Sequence, residues 1–190
     1  NYFFKDFMGN ALIAWSKASQ NDQENSFKFI EKIPNSYHQL KKIQNIFLQC
    51  YFDSNKTQKL FEELIQGEDY NFSRYNFFLA NYLLHKNRTK EAKKTIQNAR
   101  KRYNSNLLIK QTEIFLNEKN KKIRNFFNCK NPKDSLAEFF YIIANLYSSE
   151  KNYQLSNFYL KISFFLNNKF LTNKALLAEN FYYQKKYKLS

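Results

Sequence analysis

The chain has 190 residues, 43% of them hydrophobic, and carries 31 Lys and Arg against 16 Asp and Glu, a formal net charge of +15. Only two Gly and two Pro occur. This disfavours a many-stranded sheet protein, whose tight turns need these residues, and favours helices joined by short polar links. No run of 18 apolar residues is present, so no membrane span is predicted.

Small residues recur at intervals of about 34 residues along the chain. In units numbered from 1 to 34, positions 8, 20 and 27 are small, and position 11 is aromatic or large and apolar. The first two units, starting near residues 7 and 41, follow the pattern faintly. The first has Ala14 and Ser26 at positions 8 and 20, whereas the second has Leu48 and Leu60 there.

The third unit, starting near residue 73, fits the pattern well. Ala80, Ala92 and Ala99 occupy the small positions, and Leu83 occupies position 11. Apolar residues at steps of three and four predict two amphipathic helices. The polar stretch HKNRT is predicted to be the turn between them.

The fourth unit, near residues 107–136, is irregular. The stretch LLIKQTEIFLNE predicts a first helix, whereas the second, KKIRNFFNC, is short. Because a residue before proline disfavours helical geometry, we expect a break at Asn131, directly before Pro132.

The last two units start near residues 137 and 171, and SSEKN is the predicted turn of the former. Shifted by 34 residues, their key positions coincide: Ala144 with Ala178, Tyr147 with Phe181, Tyr153 with Tyr187, and Ser156 with Ser190. Since Ser190 falls in the middle of a unit and the chain begins with Asn1 rather than Met, both ends are expected to be truncated.

This spacing resembles the tetratricopeptide repeat (TPR) family, and the units cover nearly the whole of residues 1–190 as a single array. Small residues let two antiparallel helices approach closely, and a large aromatic fills the gap beside them. The overall run resembles TPR proteins of bacteria with poorly defined roles. The resemblance implies an all-α fold, a right-handed superhelix of stacked antiparallel helix pairs; a non-repeating helical bundle is the alternative.

The resemblance also implies that the first helices of successive units line a concave groove that binds a partner. Asn81 and Asn145 share position 9, where an amide could bond an extended peptide, although both could be ordinary polar surface. Trp15 is either a groove anchor or a core residue. The predicted groove residues are Trp15, Asn45, Gln49, Arg74, Phe77, Asn81, His85, Tyr141, Asn145, Glu179 and Tyr182.

No pattern indicates catalysis, a cofactor or a metal. The two histidines, His38 and His85, fall in different units without metal-ligand spacing. Glu62 and Glu63 are adjacent, which places them about 100° apart on a helix rather than facing each other. We therefore expect a non-enzyme that needs no cofactor.

Basic residues are concentrated in the middle of the chain. Residues 1–85 have nine basic and nine acidic side chains, residues 86–133 have fifteen and three, and residues 134–190 have seven and four. Codon bias of an AT-rich genome could explain the total but explains this localisation less well. The predicted basic band comprises Lys90, Lys93, Lys94, Arg100, Lys101, Arg102, Lys119, Lys121, Lys122 and Arg124.

Two functions follow from these patterns. The first is a protein–protein interaction scaffold that binds an extended peptide or a helix. The alternative is non-specific nucleic-acid binding, chiefly RNA, through the basic band. Cys50 and Cys129 are too few and too far apart in sequence for a disulfide framework or a zinc site, and Cys50, within an apolar run, is expected to be a buried thiol. A cytoplasmic location is favoured, and a periplasmic one remains open.

Overall fold

A computed structural model of the chain describes residues 3–67, 72–118, 122–170 and 172–185. All regular structure in these ranges is helical, as the scarcity of turn residues predicts. A π-helical turn, Phe3–Gly9, leads into the first α-helix, and a 3₁₀ turn, Asn35–Tyr37, precedes the third. The α-helices are α1 (Asn10–Ser19), α2 (Gln23–Glu31), α3 (His38–Tyr51), α4 (Thr57–Gln66), α5 (Tyr75–His85), α6 (Thr89–Arg102), α7 (Leu107–Asn117), α8 (Ile123–Phe126), α9 (Pro132–Ser149), α10 (Tyr153–Leu166) and α11 (Thr172–Tyr183).

The chain divides into two compact units. Unit 1 comprises residues 1–124 and 128–132, and unit 2 comprises residues 125–127 and 133–190. In unit 1 each helix from α1 to α7 packs against the next one, and α1 also contacts α3, as α5 contacts α7. In unit 2, α9, α10 and α11 pack together through side-chain bonds and ring contacts.

The same turn joins the two helices of every regular pair. Asn21, Asp53, Asn87 and Lys151 all have φ near +60°. In each turn the amide of this residue donates to the carbonyl three residues earlier, and the next amide donates to the carbonyl five residues before it. These two hydrogen bonds together form the Schellman motif, which provides donors for carbonyl groups at the end of a helix. The predicted turns HKNRT and SSEKN both contain it.

The small residues of the repeat lie in the interior. Ala14, Ala80 and Ala144 at position 8 of their repeats are fully buried. Leu48, at position 8 of the second repeat, which matches the pattern weakly, is also fully buried. Each belongs to the first helix of a pair, and the opposing small residues Ser26, Ala92, Ala99, Ser156 and Ser163 are buried on the second. The paired helices are therefore in close contact at these positions.

Aromatic side chains fill the space between the pairs in unit 1. Phe47 of α3 makes edge-to-face contacts with Phe61 of α4 and Phe78 of α5, with ring centroids 5.9 and 5.2 Å apart. Phe47 also lies 6.3 Å from the ring of Tyr75. These contacts connect consecutive helix pairs through buried rings, an arrangement that adds about 0.5–1.5 kcal/mol per pair beyond area burial.

The fourth repeat, near residues 107–136, contains one full helix and one short helix. α7 is a full helix whose start is capped by the Asn106 side chain, which accepts from the Ile109 amide at 3.1 Å. α8 spans only four residues, and the next helix begins at Pro132, with Asn131 outside it. Proline suits a first helical position because its missing N–H would have no helical partner there.

The expectation of a free thiol at Cys50 is wrong, because Cys50 and Cys129 form a disulfide with their Cα atoms 5.8 Å apart. Both cysteines are buried in unit 1. The bond links α3 to the segment that follows α8, across 79 residues of sequence. Sequence separation does not limit pairing when packed helices bring two cysteines within disulfide range.

Buried polar side chains connect the three helices of unit 2. The fully buried Asn180 of α11 donates from Nδ2 to Ser156 Oγ at 2.7 Å and Asn157 Oδ1 at 2.8 Å, both on α10. Its Oδ1 accepts from Ser148 Oγ of α9 at 2.7 Å. One amide side chain therefore bonds to two neighbouring helices, with donor and acceptor both used.

Candidate partner-binding site

Three of the predicted groove residues lie in the interior of unit 1. Trp15 and Phe77 are each 1% exposed, and Asn81 is equally buried. Asn81 donates from Nδ2 to the backbone carbonyl of Ile123 at 3.1 Å. Its side-chain amide therefore links α5 to the first residue of α8. These three side chains are therefore not accessible to a partner at the surface of unit 1.

Trp15 has a specific core partner. Its Nε1–H donates to Gln44 Oε1 at 2.9 Å, and its ring packs edge-on against Tyr51. A buried indole with its N–H satisfied is a normal core residue. The sequence leaves two interpretations of Trp15, a groove anchor or a core residue. This geometry corresponds to the core residue.

The other predicted groove residues of unit 1 reach the surface to different extents. Asn45 and Gln49 of α3 are half-buried, as is Arg74, directly before α5. The Arg74 guanidinium lies 5.6 Å from the centroid of the Phe78 ring. His85, at the end of α5, is exposed.

In unit 2 the predicted groove residues are more accessible. Asn145 of α9 and Glu179 and Tyr182 of α11 are exposed, and Tyr141 is half-buried. Asn145 and Asn81 thus differ in surroundings despite their shared repeat position. These different surroundings do not support a peptide-binding role shared by the two amides.

The basic band is partly a single surface of α6. Lys90, Lys94 and Lys101 are exposed at steps of four and seven residues, with Arg102 exposed beside them. The inward face of the same helix is Ala92, Ile96 and Ala99, as the apolar spacing predicts. Of the remaining members, Lys93, Arg100 and Arg124 are half-buried and Lys122 is exposed. Lys119 and Lys121 lie outside the described residues.

Two arginines of the predicted band have partners within the protein. Arg100 Nε lies 3.5 Å from Glu113 Oε2 of α7. Arg124 donates from Nη2 to Asn87 Oδ1 at 3.2 Å. The ion pair with Glu113 partly offsets the charge of Arg100, whereas the bond to the neutral amide of Asn87 positions Arg124 without changing its charge.

A cluster of three charges surrounds the disulfide-linked end of α3. Lys86 donates to Asp53 Oδ1, and Lys130 Nζ lies 3.9 Å from the same oxygen while donating to the Tyr51 carbonyl at 2.9 Å. The hydrogen bond from Lys86 lowers the pKa of Asp53, and the same bond raises the pKa of Lys86. Burial lowers the pKa of Lys130 despite the attraction of Asp53.

Sequence analysis missed a cleft of about 650 Å³ in unit 2, between α10 and α11. Its apolar side chains are Leu160, Phe164 and Phe165 from α10 and Leu177 and Ala178 from α11. Phe165 is 87% exposed, an unusual position for so large an apolar ring. We call this feature the α10–α11 cleft.

Lysines flank the apolar part of the α10–α11 cleft. Lys161 and Lys174 line it and are both exposed, and the Lys174 ammonium lies 5.1 Å from the centroid of the Phe164 ring. Buried Asn173 donates from Nδ2 to Ser163 Oγ at 2.7 Å, whereas its Oδ1 has no hydrogen-bond partner among the described residues. The cleft thus combines an apolar floor with positive charge.

A sequence signal for this cleft existed in the charge pattern. Residues 151–178 contain four lysines and no Asp or Glu, and they include the adjacent aromatics Phe164 and Phe165. The adjacent aromatics alone do not predict an exposed ring, because Phe77 and Phe78 are also adjacent, on α5, and both are buried.

Comparison with protein-family models, characterised proteins and solved structures finds no match to this chain. The resemblance to TPR proteins therefore rests on the residues of the chain itself. In the part of the chain that the structure describes, no group of three or more His, Cys, Asp or Glu side chains is placed to hold a metal ion. Across the described ranges, no helix combines the length and apolarity needed to cross a bilayer.

Proposed function

We propose that the chain is a TPR-type protein–protein interaction scaffold, with its hairpins stacked as a right-handed array and with no catalytic step of its own. The observation that carries this proposal is the repeated hairpin. A Schellman turn at Asn21, Asp53, Asn87 and Lys151 follows a first helix whose position 8 is fully buried. Such repeats bind partners on the surface formed by successive first helices.

The surface available for this function consists of exposed and half-buried side chains on first helices. In unit 1 these are Asn45, Gln49 and His85, with Arg74 directly before α5, and in unit 2 they are Tyr141, Asn145, Glu179 and Tyr182. The side chains of this surface include amides, a carboxylate and a phenol. They would complement a partner peptide or helix that offers both hydrogen-bond donors and apolar contacts. The side chains differ between units, which favours one specific partner over a repetitive ligand.

The test uses the full chain as bait in cell extract, at low and high salt and with and without nuclease. We expect a discrete protein that persists at high salt, is insensitive to nuclease, and is lost with Asn145→Ala plus Glu179→Ala. The matched control is Gln97→Ala, an exposed residue on the second helix α6. Equal recovery with both variants would count against the first-helix surface.

A second candidate function, non-specific RNA binding, is supported by the exposed cations Lys90, Lys94, Lys101 and Arg102 on α6. Phosphate contacts of this kind release counterions, and each contributes about 0.7 to the slope of log affinity against log salt for a single strand. Recovery dominated by nucleic acid, and lost at high salt or after nuclease, would favour this function over the scaffold. Lys90→Glu plus Lys94→Glu would then lower both the RNA affinity and the salt slope.

The disulfide bears on the compartment in which the protein works. Disulfides persist in oxidising environments such as the periplasm and are rare where thiols are kept reduced. We therefore propose the periplasmic or another oxidising location over the cytoplasmic one favoured by sequence.

A further inference from the structure

We infer that the chain carries its own ligand for the first-helix surface of unit 1, and that reduction of the Cys50–Cys129 disulfide releases this ligand. The ligand consists of residues 122–124 and 128–130, which all belong to unit 1 and which we call the covering segment. The inference rests on the scaffold function proposed above, because it describes how access to that surface is controlled. The contact is autoinhibitory and is held closed by oxidation.

The covering segment crosses both α3 and α5, the first helices of two successive pairs. At α5, the carbonyl of Ile123 accepts from Asn81 Nδ2 at 3.1 Å. At α3, next to the disulfide, Lys130 Nζ donates to the carbonyl of Tyr51 at 2.9 Å. The segment therefore contacts successive first helices in turn, as a peptide bound along a repeat surface does.

The place of α8 differs from that of the second helix in a regular pair. α2 packs on α1, α4 on α3 and α6 on α5, so each of these second helices contacts its own first helix. α8 follows α7 in the chain, but its first carbonyl is bonded to α5, the first helix of the preceding pair. The bonded residue, Asn81, stands at repeat position 9, which the TPR resemblance assigns to the partner surface.

Burial at the equivalent position agrees with this assignment. Asn145, at position 9 of α9, is exposed, whereas Asn81 is 1% exposed. Ile123 is itself buried, so the covering segment supplies an apolar anchor as well as a main-chain bond. Extended peptide ligands combine these two kinds of contact.

The charged contacts of the covering segment are weaker than its covalent bond. Arg124 donates from Nη2 to Asn87 Oδ1 at 3.2 Å, and Lys130 Nζ lies 3.9 Å from Asp53 Oδ1. Contacts between solvent-exposed side chains contribute little to stability, so the disulfide is the main constraint on the segment. Without the disulfide, the covering becomes an intramolecular equilibrium with which a partner competes.

The release step is thiol–disulfide exchange with a dithiol. A thiolate of the reductant attacks Sγ of Cys129, which is 8% exposed and lies between α8 and α9. The bond to Cys50 breaks, and Cys50 leaves as a thiolate that takes up a proton. The second thiol of the reductant then displaces Cys129, so both cysteines are reduced to thiols and the dithiol is oxidised to a disulfide by two electrons.

Limited trypsin digestion of the full chain tests the release, because Arg124 and Lys130 are both cleavage sites within the covering segment. We expect cleavage after these residues to be at least about tenfold faster in the chain treated with a dithiol than in the oxidised chain. Lys94, on α6, should stay uncut over the same time. The control is Cys50→Ser plus Cys129→Ser, which should be cleaved like the reduced chain and should not respond to the dithiol.

A peptide with the sequence of residues 122–131 tests whether the uncovered surface recognises the covering segment. In the full chain with Cys129→Ser, Cys50 is the only remaining cysteine. In a glutathione buffer, the peptide thiol and Cys50 lose two electrons and two protons to oxidised glutathione and form a disulfide. We expect at least about tenfold more of this product than with the same peptide carrying Ile123→Asp, which loses the apolar anchor.

Three results would overturn the inference. The first is cleavage throughout unit 1 on reduction, because the disulfide would then only stabilise the fold. The second is unchanged resistance after Arg124 and Lys130 in the reduced chain, and the third is equal cross-linking of the two peptides.

Capture from cell extract separates this inference from the scaffold function. Equal recovery of a partner by the oxidised and the reduced full chain would overturn the inference and leave the scaffold function standing. Release of the covering segment and selective cross-linking of its peptide, with no protein recovered in either state, would support the inference and count against the scaffold function.

Discussion

Cys50 on α3 is bonded to Cys129, 79 residues later, so the segment after α8 is covalently held against α3. Lys130, the next residue, donates to the carbonyl of Tyr51, the residue after Cys50. The disulfide and this hydrogen bond thus join the same two segments side by side. They close a loop that contains α4 to α8.

Breaking this disulfide should destabilise unit 1 strongly. Closing a loop of this length restricts the unfolded chain by about 4 kcal/mol in the chain-entropy model. We expect Cys50→Ser plus Cys129→Ser to lower the urea midpoint of unit 1, and a reductant to do the same to the native chain. The double variant should not respond to reductant; a native chain that also fails to respond would contradict a closed disulfide.

The hairpin turn at Lys151 should be improved by glycine. Lys151 has φ of 60°, where a residue with a Cβ is strained by about 1–2 kcal/mol. Glycine removes that strain but increases the freedom of the unfolded chain, which offsets about 0.5–1 kcal/mol. Lys151→Gly should therefore stabilise unit 2 by about 0.5–1 kcal/mol in urea unfolding. Lys151→Ala is the control, since it removes the lysine side chain and keeps the strained φ, and a similar gain there would refute this account.

The repeat spacing predicted much of the fold because close helix contacts constrain residue size directly. Ala80 and Ala144 could be assigned to helix crossings without a structure, and Asn131 to a helix boundary from Pro132. The disulfide could not be predicted in this way, because contact between Cys50 and Cys129 depends on the three-dimensional packing of segments far apart in sequence. Single-array organisation over residues 1–190 stays a prediction.

The candidate site was less predictable than the fold. Repeat numbering placed Asn81 and Asn145 at one position, but burial depends on what packs against each helix. Asn81 faces the backbone at Ile123, whereas Asn145 is exposed. Repeat numbering likewise gives Ala178 the same small residue type as Ala14 and Ala80, and it does not say that Ala178 is half-buried whereas the other two are fully buried.

Trp15 should behave as a buried reporter of unit 1. It is the only tryptophan, it is 1% exposed, and its N–H is bonded to Gln44. Its fluorescence should resist quenching by acrylamide in the native chain and become quenchable on unfolding. Ready quenching in the native state would contradict core packing and return Trp15 to the set of groove residues.

Asn180 should be important for the stability of unit 2. Asn180→Ala removes the group that bonds to buried Ser156 and Asn157 and to half-buried Ser148, and leaves their polar atoms without that partner. Unsatisfied buried groups cost about 1–3 kcal/mol each when no other partner replaces the lost one. We expect faster amide hydrogen exchange in α9, α10 and α11. The control, Asn168→Ala, changes an exposed asparagine and should leave exchange unchanged. Native-like exchange in Asn180→Ala would show that the three bonds contribute little.

The Asp53 cluster should make unit 1 sensitive to acid. The hydrogen bond from Lys86 lowers the pKa of Asp53 in the folded chain. A carboxyl group with a lowered folded pKa binds more protons in the unfolded state, so its stabilising contribution is full above the unfolded pKa of about 4 and is lost as pH falls through the folded value. The contribution is small, below about 1 kcal/mol, because both side chains are more than a third exposed to solvent. It should also decrease with added salt.

Asp53→Asn is the variant that isolates this effect, because asparagine also tolerates the positive φ found at this position. Urea midpoints of the native chain should fall more steeply than those of the variant between about pH 4 and pH 2, the range below the unfolded pKa. A carboxyl chemical shift for Asp53 that titrates at the ordinary value for aspartate would contradict the bond to Lys86. Parallel acid profiles of the two proteins would lead to the same conclusion, and the cluster would then contribute only to the surface charge of unit 1.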